Sequence, residues 1–317
     1  MPGNVKQRIG ISGGGSGLTN RRPCLMLFSM PPGVPPHYEP EDAKKRLCIL
    51  HANCQGDPLA FLLAASPEFS SIYAIRRFVN YRREPIPGEL LARCSLFLFQ
   101  PLGDAWDELS SSRLAERLRP DARCLRIPNM FFKGYWPFWT NAGPLDFGDS
   151  FLDHLADQGL SRAEAMHVYL RGKLETKYDL DAIARESLAR ERHKENPSAV
   201  KTADFVAAHW RNRQLFSSVN HPAPELMVRV ADAILAALDL PPVPEAIRRA
   251  CPPCDADFDL PVHPAVGRHF GLPFVSEERR YNIFGRSLTF AEYAACYLDC
   301  RLRGLDNFIT YLHLVEK

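Results

Sequence analysis

The sequence predicts an α/β chain: a short parallel sheet with flanking helices, followed by a largely helical C-terminal part. Three observations predict it. Apolar runs of strand length recur between residues 46 and 127, and each ends at a polar cluster. Helical segments separate them, and strands alternating with helices imply parallel pairing through right-handed crossovers. Beyond residue 150 the helical pattern continues and the strand runs stop.

The elements follow in order. Arg46-Leu47-Cys48-Ile49-Leu50 reads as a buried strand that stops at a polar turn over residues 51–56. Residues 59–65 read as a helix, 71–75 as a second strand and 89–93 as a short helix. Residues 96–99 form a third strand ending at Gln100-Pro101, residues 105–118 a helix, and residues 123–127 a fourth strand ending at Pro128-Asn129. In such sheets ligands bind beyond the carboxyl ends of the strands. Three polar clusters sit there: His51 to Gln55, Gln100 and Asn129. Ser161 with Glu164 and Thr289 with Glu292 are capping boxes opening two later helices. Residues 181–194 form a charged helix. Residues 224–238 form an amphipathic one with Leu226, Val230, Ile234 and Leu238 on one face. A Pro-rich stretch covers residues 241–253.

Composition limits the function classes. The chain has 317 residues, enough for one large α/β domain with a full core. Lys plus Arg is 39 and Asp plus Glu 37, a net charge of +2 that gives no support to a nucleic-acid partner. No apolar run approaches the length of a membrane span. Nine cysteines spread over so long a chain do not read as a secreted disulfide scaffold, so a reducing, cytoplasmic compartment is expected. Residues 1–44 hold seven Pro and seven Gly and read as a flexible leader. Residues 45–317 then form one α/β domain, with residues 45–150 bearing the sheet and residues 151–317 mainly helical. Gly13-Gly14-Gly15-Ser16-Gly17 has neither the dinucleotide-loop spacing nor the Lys-Ser/Thr ending of a phosphate loop.

His51-Ala52-Asn53-Cys54-Gln55 is the sharpest chemical signal. An imidazole, two carboxamides and a thiol follow a buried strand, where a helix N-terminus would offer free N–H groups and lower a thiol pKa. Cys54 then stands as nucleophile or oxyanion residue and His51 as base. The plain alternative is a structural thiol beside a turn-forming Asn. Gln100 and Asn129 are candidate binders of a carbonyl or hydroxyl. Lys133 and Tyr135 lie in an aromatic stretch that suits a ring or pantetheine, or simply packs under a loop. Arg76, Arg77, Arg82 and Arg83 form a basic group fit for phosphates, or a solvated face. Asn220 and His221 precede the amphipathic helix, and a histidine kept neutral there suits a general base. His263 before Pro264 is a weaker repeat of the same pattern. Cys251-Pro252-Pro253-Cys254 has the wrong context for redox and the wrong gap to His263 for a zinc finger, so no metal is expected.

Taken together, several of these pieces resemble the WcbI-type acetyltransferase family of bacterial capsular polysaccharide biosynthesis. The matching residues are His51 to Gln55 (with Ala52 where the family usually has Gly), Phe99 to Pro101, Ile127 to Asn129 with Gly134-Tyr135, Val219 to Pro222, His263-Pro264 and Leu288 to Tyr293. The resemblance implies a core related to the SGNH or GDSL hydrolases and acetyl-CoA as co-substrate. The implied reaction is acetyl transfer to the hydroxyl of a carbohydrate acceptor. Two routes follow: Cys54 carries the acetyl group, or a histidine deprotonates the sugar hydroxyl for direct attack. An SGNH-like carbohydrate esterase and a non-catalytic binder of CoA or a nucleotide sugar are the alternatives.

Overall fold

Six consecutive buried residues make Arg46–Ala52 (β1) an interior strand. A strand covered on both faces has no polar face to show, so it reads as an unbroken apolar run. Successive side chains alternate between two cores. Cys48, Leu50 and Ala52 enter the larger one, Leu47 and Ile49 the smaller. The computed structural model describes residues 44–314. The expected leader lies outside them, apart from its last residue.

Beyond β1 come the helices Gly56–Ala65 (α1) and Pro67–Ile72 (α2), then strand Tyr73–Val79 (β2). Helix Gly88–Arg93 (α3) leads into strand Cys94–Phe99 (β3), and helix Ser111–Glu116 (α4) into strand Arg123–Arg126 (β4). All pairings among these strands are parallel, in the order β2-β1-β3-β4. From β1 the chain steps outward to β2, then crosses back to β3 on the other side. That reversal is the topological switch point, where open α/β sheets form their crevice. The end of β1 and the turn after it, His51–Gln55, lie there, and Gln100 follows β3.

Two expectations need correction. The second strand begins and ends later than expected, so Arg76 and Arg77 lie within β2. The helix expected over residues 105–118 is broken. A 3₁₀ segment Asp104–Leu109 contains Asp107 at φ 52°, and Ser110 is extended before α4 starts. Ser111 Oγ accepts from Leu102 N at 2.9 Å, a bond that spans the 3₁₀ segment and ties the start of α4 to the chain before it.

The aromatic stretch leads to a two-residue ladder, Trp139–Thr140 (β5) with Gly148–Asp149 (β6). Helices Ser150–Asp157 (α5), Arg162–Arg171 (α6), Leu174–Lys177 (α7), Leu180–Glu195 (α8) and Ala203–His209 (α9) follow. A hairpin of Phe216–Ser218 (β7) and His221–Pro222 (β8) precedes Pro224–Ala237 (α10), which packs on α1. The Pro-rich stretch is not a bare linker. It contains helix Glu245–Arg249 (α11), tied to α10 by Arg248 and Asp232 at 2.8 Å. Helix Pro264–Phe270 (α12), the antiparallel pair Arg280–Ile283 (β9) and Arg286–Thr289 (β10), and helices Phe290–Leu302 (α13) and Phe308–Leu314 (α14) complete the described chain. Both capping boxes form as expected, at Ser161 with Glu164 and Thr289 with Glu292. The larger core runs from Cys48 to Leu312, so the sheet and the helical part share it. Among the described residues no helix is long and apolar enough to cross a membrane.

Candidate functional site

The turn joining β1 to α1 is held from every side. Asn53 N donates to Gln100 Oε1 at 2.8 Å, and Gln55 N to Asn53 Oδ1 at 3.0 Å. Gly56 N reaches Asn53 O at 2.9 Å and Asp57 N reaches Cys54 O at 3.2 Å. Four backbone donors that an oxyanion might use are therefore already engaged. The expectation of free N–H groups at this helix start fails for them, because the turn consumes its own donors. Asn53 Nδ2, which donates to Asn129 Oδ1 at a longer 3.2 Å, is the donor most easily redirected.

Behind the turn lies a lattice of carboxamides. Gln55, 2% exposed, donates through Nε2 to Met130 O at 2.9 Å and Asn220 O at 2.8 Å. Its Oε1 accepts from Met130 N at 3.1 Å and Gln100 Nε2 at 3.2 Å. Gln100, 1% exposed, also donates to Pro128 O at 3.2 Å, and its oxygen accepts from Asn80 Nδ2 at 3.3 Å. Asn53, Gln55, Gln100, Asn129 and Asn220, widely separated in sequence, thus meet at one sheet edge. Satisfied buried amides of this kind fix a unique geometry, because each unmade bond would be expensive.

Cys54 is buried, with its thiol pushed up to about 12 by burial and by the Asp57 carboxylate, while Arg77 pulls the other way. The expected lowering at a helix N-terminus does not occur, because desolvation outweighs it. At pH 7 this group is a neutral thiol. His51 is wholly buried in β1 and both ring nitrogens lack a hydrogen-bond partner. His221, in β8, is likewise buried, with Nδ1 unpartnered. Burial lowers both to about 4, so each ring is neutral. Neither is hydrogen-bonded to Cys54. His263 is engaged elsewhere: Nδ1 accepts from Ala265 N at 3.0 Å as the cap of α12, and Nε2 lies 3.0 Å from Tyr169 O. Tyr135 is fully buried in an aromatic cluster, its hydroxyl 2.6 Å from Trp210 O and 2.8 Å from Arg213 O. Those two residues are brought into the core, away from the carboxamide lattice.

The four arginines separate. Arg76 and Arg77 alternate along β2 and so point to opposite faces of the sheet. Arg77 turns toward α1, where it ion-pairs with Asp57 at 2.6 Å and donates to Asn53 O at 3.0 Å. Arg82 is exposed and in electrostatic reach of Asp57 and Tyr81. Arg83 sits over Trp106 and contacts Ala105 O and Asp107. Lys133 is half-buried near the Trp139 ring, its ammonium pKa lowered by burial. The CxxC comes close to the turn. Cys254 Sγ donates to Pro222 O at 3.4 Å and its thiol is in electrostatic reach of both Cys54 and Cys251. Among the described residues no three His, Cys, Asp or Glu side chains are placed to hold a metal ion.

Both the sequence and the fold have counterparts among known proteins. The profile of the polysaccharide biosynthesis enzyme WcbI matches residues 47–243. The chain belongs to the WcbI family of polysaccharide biosynthesis enzymes. No curated protein matches it in sequence. A solved structure of WcbI, described as a novel polysaccharide biosynthesis enzyme in a native form without a disulfide bond between coenzyme A and a cysteine, is 16% identical. The likeness covers 85% of this chain and 98% of that one, with a TM-score of 0.66, and shows a shared fold.

The WcbI match takes in the turn after β1, Gln100, Asn129 and His221, and stops before the CxxC and His263. Within its span the structure adds residues that sequence reasoning missed. Asn80 ends β2 as Gln100 ends β3, and that shared position was a usable signal. One face of α8 supplies the rest. Ser187 Oγ accepts from Lys133 N at 3.0 Å, Glu191 Oε2 from Phe131 N at 3.3 Å, and Lys194 Nζ donates to Asn129 O at 2.8 Å. Three side chains at helical spacing thus hold alternate residues of an extended segment. Lys194 also pairs with Glu191 at 2.7 Å, and burial lifts Glu191 to about 7. Nothing in the charged α8 sequence marks this face, because its partner is a loop with no periodicity.

Proposed function

We propose that this WcbI-family protein is an acetyl-CoA-dependent O-acetyltransferase acting on a sugar hydroxyl in the biosynthesis of a capsular or other surface polysaccharide. The observation that carries the reading is the amide lattice of Asn53, Gln55, Gln100 and Asn129, which fixes the Cys54 turn at the sheet's switch point in a chain of this family. Coenzyme A in the description of the similar WcbI structure supports the choice of donor. The relation to SGNH or GDSL hydrolases belongs to the same proposal, supported by the parallel order β2-β1-β3-β4. A cytoplasmic site of action is supported by the eight cysteines of the described residues, all free.

The direct route is the one we favour, because it needs no Cys54 thiolate. A thiol near 12 supplies almost no thiolate at pH 7, and thiolate is the nucleophile. In the direct route a neutral histidine removes the proton of the sugar hydroxyl, whose oxygen attacks the thioester carbonyl. The carbon–sulfur bond then breaks, and the CoA sulfur leaves as thiolate and takes up a proton. His221 is the first choice as base, with an unpartnered Nδ1, and His51 the second. Asn53 Nδ2, the donor most easily redirected, would face the developing oxyanion. Asn220 shapes the acceptor side, and Arg76, Arg82, Arg83 and Lys133 are the candidate ligands of the CoA phosphates. His263 and Tyr135, both engaged within the core, take no direct part in this route.

Calorimetry with CoA and transfer of labelled acetyl from acetyl-CoA test the reading together. CoA binding, with transfer reduced at least about 100-fold in His221→Ala, is expected. Intact mass spectrometry should show no acetylated Cys54 during turnover, and Cys54→Ser should keep partial activity. Absence of CoA binding at millimolar concentration would sink the acyltransferase reading. Hydrolysis of acetylated sugar without CoA would establish the esterase instead, and CoA binding without turnover on any acceptor a binding protein.

A further inference from the structure

Arg77 shares a basic cluster with Arg76, Arg82 and Arg83 in the sequence, yet it is placed unlike the others. Its Nη1 lies 2.6 Å from Asp57 Oδ1 and its Nη2 donates to Asn53 O at 3.0 Å. Nε is buried and has no partner. Nε packs against Gly56, where an added Cβ would lie 2.8 Å from it and 3.1 Å from the Ala52 Cβ. The guanidinium therefore grips the residue before Cys54 and the third residue after it, and crosses the helix start where only glycine leaves room. A planar fork fixes two partners in one geometry, which a lysine cannot do.

We propose that Arg77 is a positioning residue that staples the Asn53–Asp57 turn and sets the electrostatic environment of Cys54, and is not itself a ligand for the cofactor phosphates. Gly56 is then part of the same device, its missing side chain being the seat of the guanidinium. The proposal takes the Cys54 turn as the reactive site from the preceding section, but its effects are read on the thiol itself, without turnover.

The other charged groups acting on the thiol are Asp57 and Asp255, both anionic, so Arg77 is the opposing cation among them. Removing each member of the ion pair therefore has opposite consequences. The test is the alkylation rate of Cys54 at fixed mildly alkaline pH, followed by peptide mass spectrometry so that the remaining cysteines do not interfere. Arg77→Gln is expected to slow it about tenfold, the change that one pKa unit produces in a thiolate population. Asp57→Asn is expected to speed it by a similar factor, and Arg77→Lys to fall between wild type and Arg77→Gln. A staple with only a structural role would loosen the turn in both variants and raise both rates. If Arg77→Gln does not fold, Gly56→Ala approaches the same point by displacing Nε, and should also slow alkylation. In a folded Arg77→Gln background, Gly56→Ala should add less than about twofold, since the group it displaces is gone. Alkylation that is unchanged or faster in Arg77→Gln overturns the proposal. So does a loss of CoA affinity in that variant with Cys54 reactivity intact. Failure of the wild type to bind CoA would count against the acetyltransferase reading and leave the alkylation result standing.

Discussion

Replacing Gln55 by leucine tests the amide lattice most directly. The two side chains are similar in size, so the change removes polarity more than volume. Gln55 makes four hydrogen bonds through its carboxamide, two as donor and two as acceptor. Gln100 Nε2 keeps a second acceptor in Pro128 O, so it is not orphaned. Met130 N, Met130 O and Asn220 O lose this partner, and Met130 is buried while Asn220 is half-exposed. Leaving a buried polar group unpaired costs about 1–3 kcal/mol. Relaxation and water at Asn220 reduce the total, which we place at about 3–5 kcal/mol, the upper range for single substitutions. In a body of this size that is a fall of about 5–9 °C in Tm. Urea titration followed by circular dichroism reads the loss, with the slope of the titration unchanged.

Gln55→Glu is the isosteric companion. Its carboxylate faces Met130 O and Asn220 O, two acceptors, so its folded pKa must rise above the unfolded value of about 4.3. Between those two values the folded state holds the extra proton. Stability of this variant is therefore retained below the unfolded pKa and lost as pH rises toward the folded one. A leucine variant that loses less than about 1 kcal/mol, or a glutamate variant with no such pH trend, would refute the view that these bonds hold the site.

Two further predictions concern the surroundings. Lys194→Met releases Asn129 O and leaves Glu191 without its cation; kcat for acetyl transfer should fall about tenfold to a hundredfold while Tm changes little, and an unchanged kcat would remove α8 from the site's support. His221 is held near 4, below its unfolded value of 6.5, so the unfolded chain binds the extra proton between them and stability is lost as pH falls through that window. The wild type should accordingly lose up to about 3 kcal/mol more than His221→Gln between pH 6.5 and 4, measured as the difference between their urea-derived stabilities, and parallel pH curves would show that the ring is not buried neutral.

What could be read from the sequence follows the range of each interaction. The strands were visible because burial on two faces leaves an apolar run, as in Leu47 to Leu50, and the ends of β1 and β3 exposed His51–Gln55 and Gln100 by the same logic. Capping boxes span only four residues, so both are legible in the sequence. The break at Asp107 and Ser110 is not, since apolar spacing continues across it. Site electrostatics were the least legible. A thiol at a helix start suggests activation, but its burial depends on what packs around it, and Cys254 and Asp255, which come within electrostatic reach of it, lie far along the chain. Likewise Arg76-Arg77 looks like one basic unit in sequence and becomes two opposed faces once β2 extends to Val79. Placing Arg77 in a strand of period two directs it to α1, and Gly56 gives it room. The same positional argument extends to Asn80. It follows Val79 at the end of β2 and reaches Gln100 from the far side of β1. The amide lattice is therefore a property of three strand ends in register, and a one-residue slip of β2 would separate Asn80 from Gln100 and Arg77 from Asn53 together.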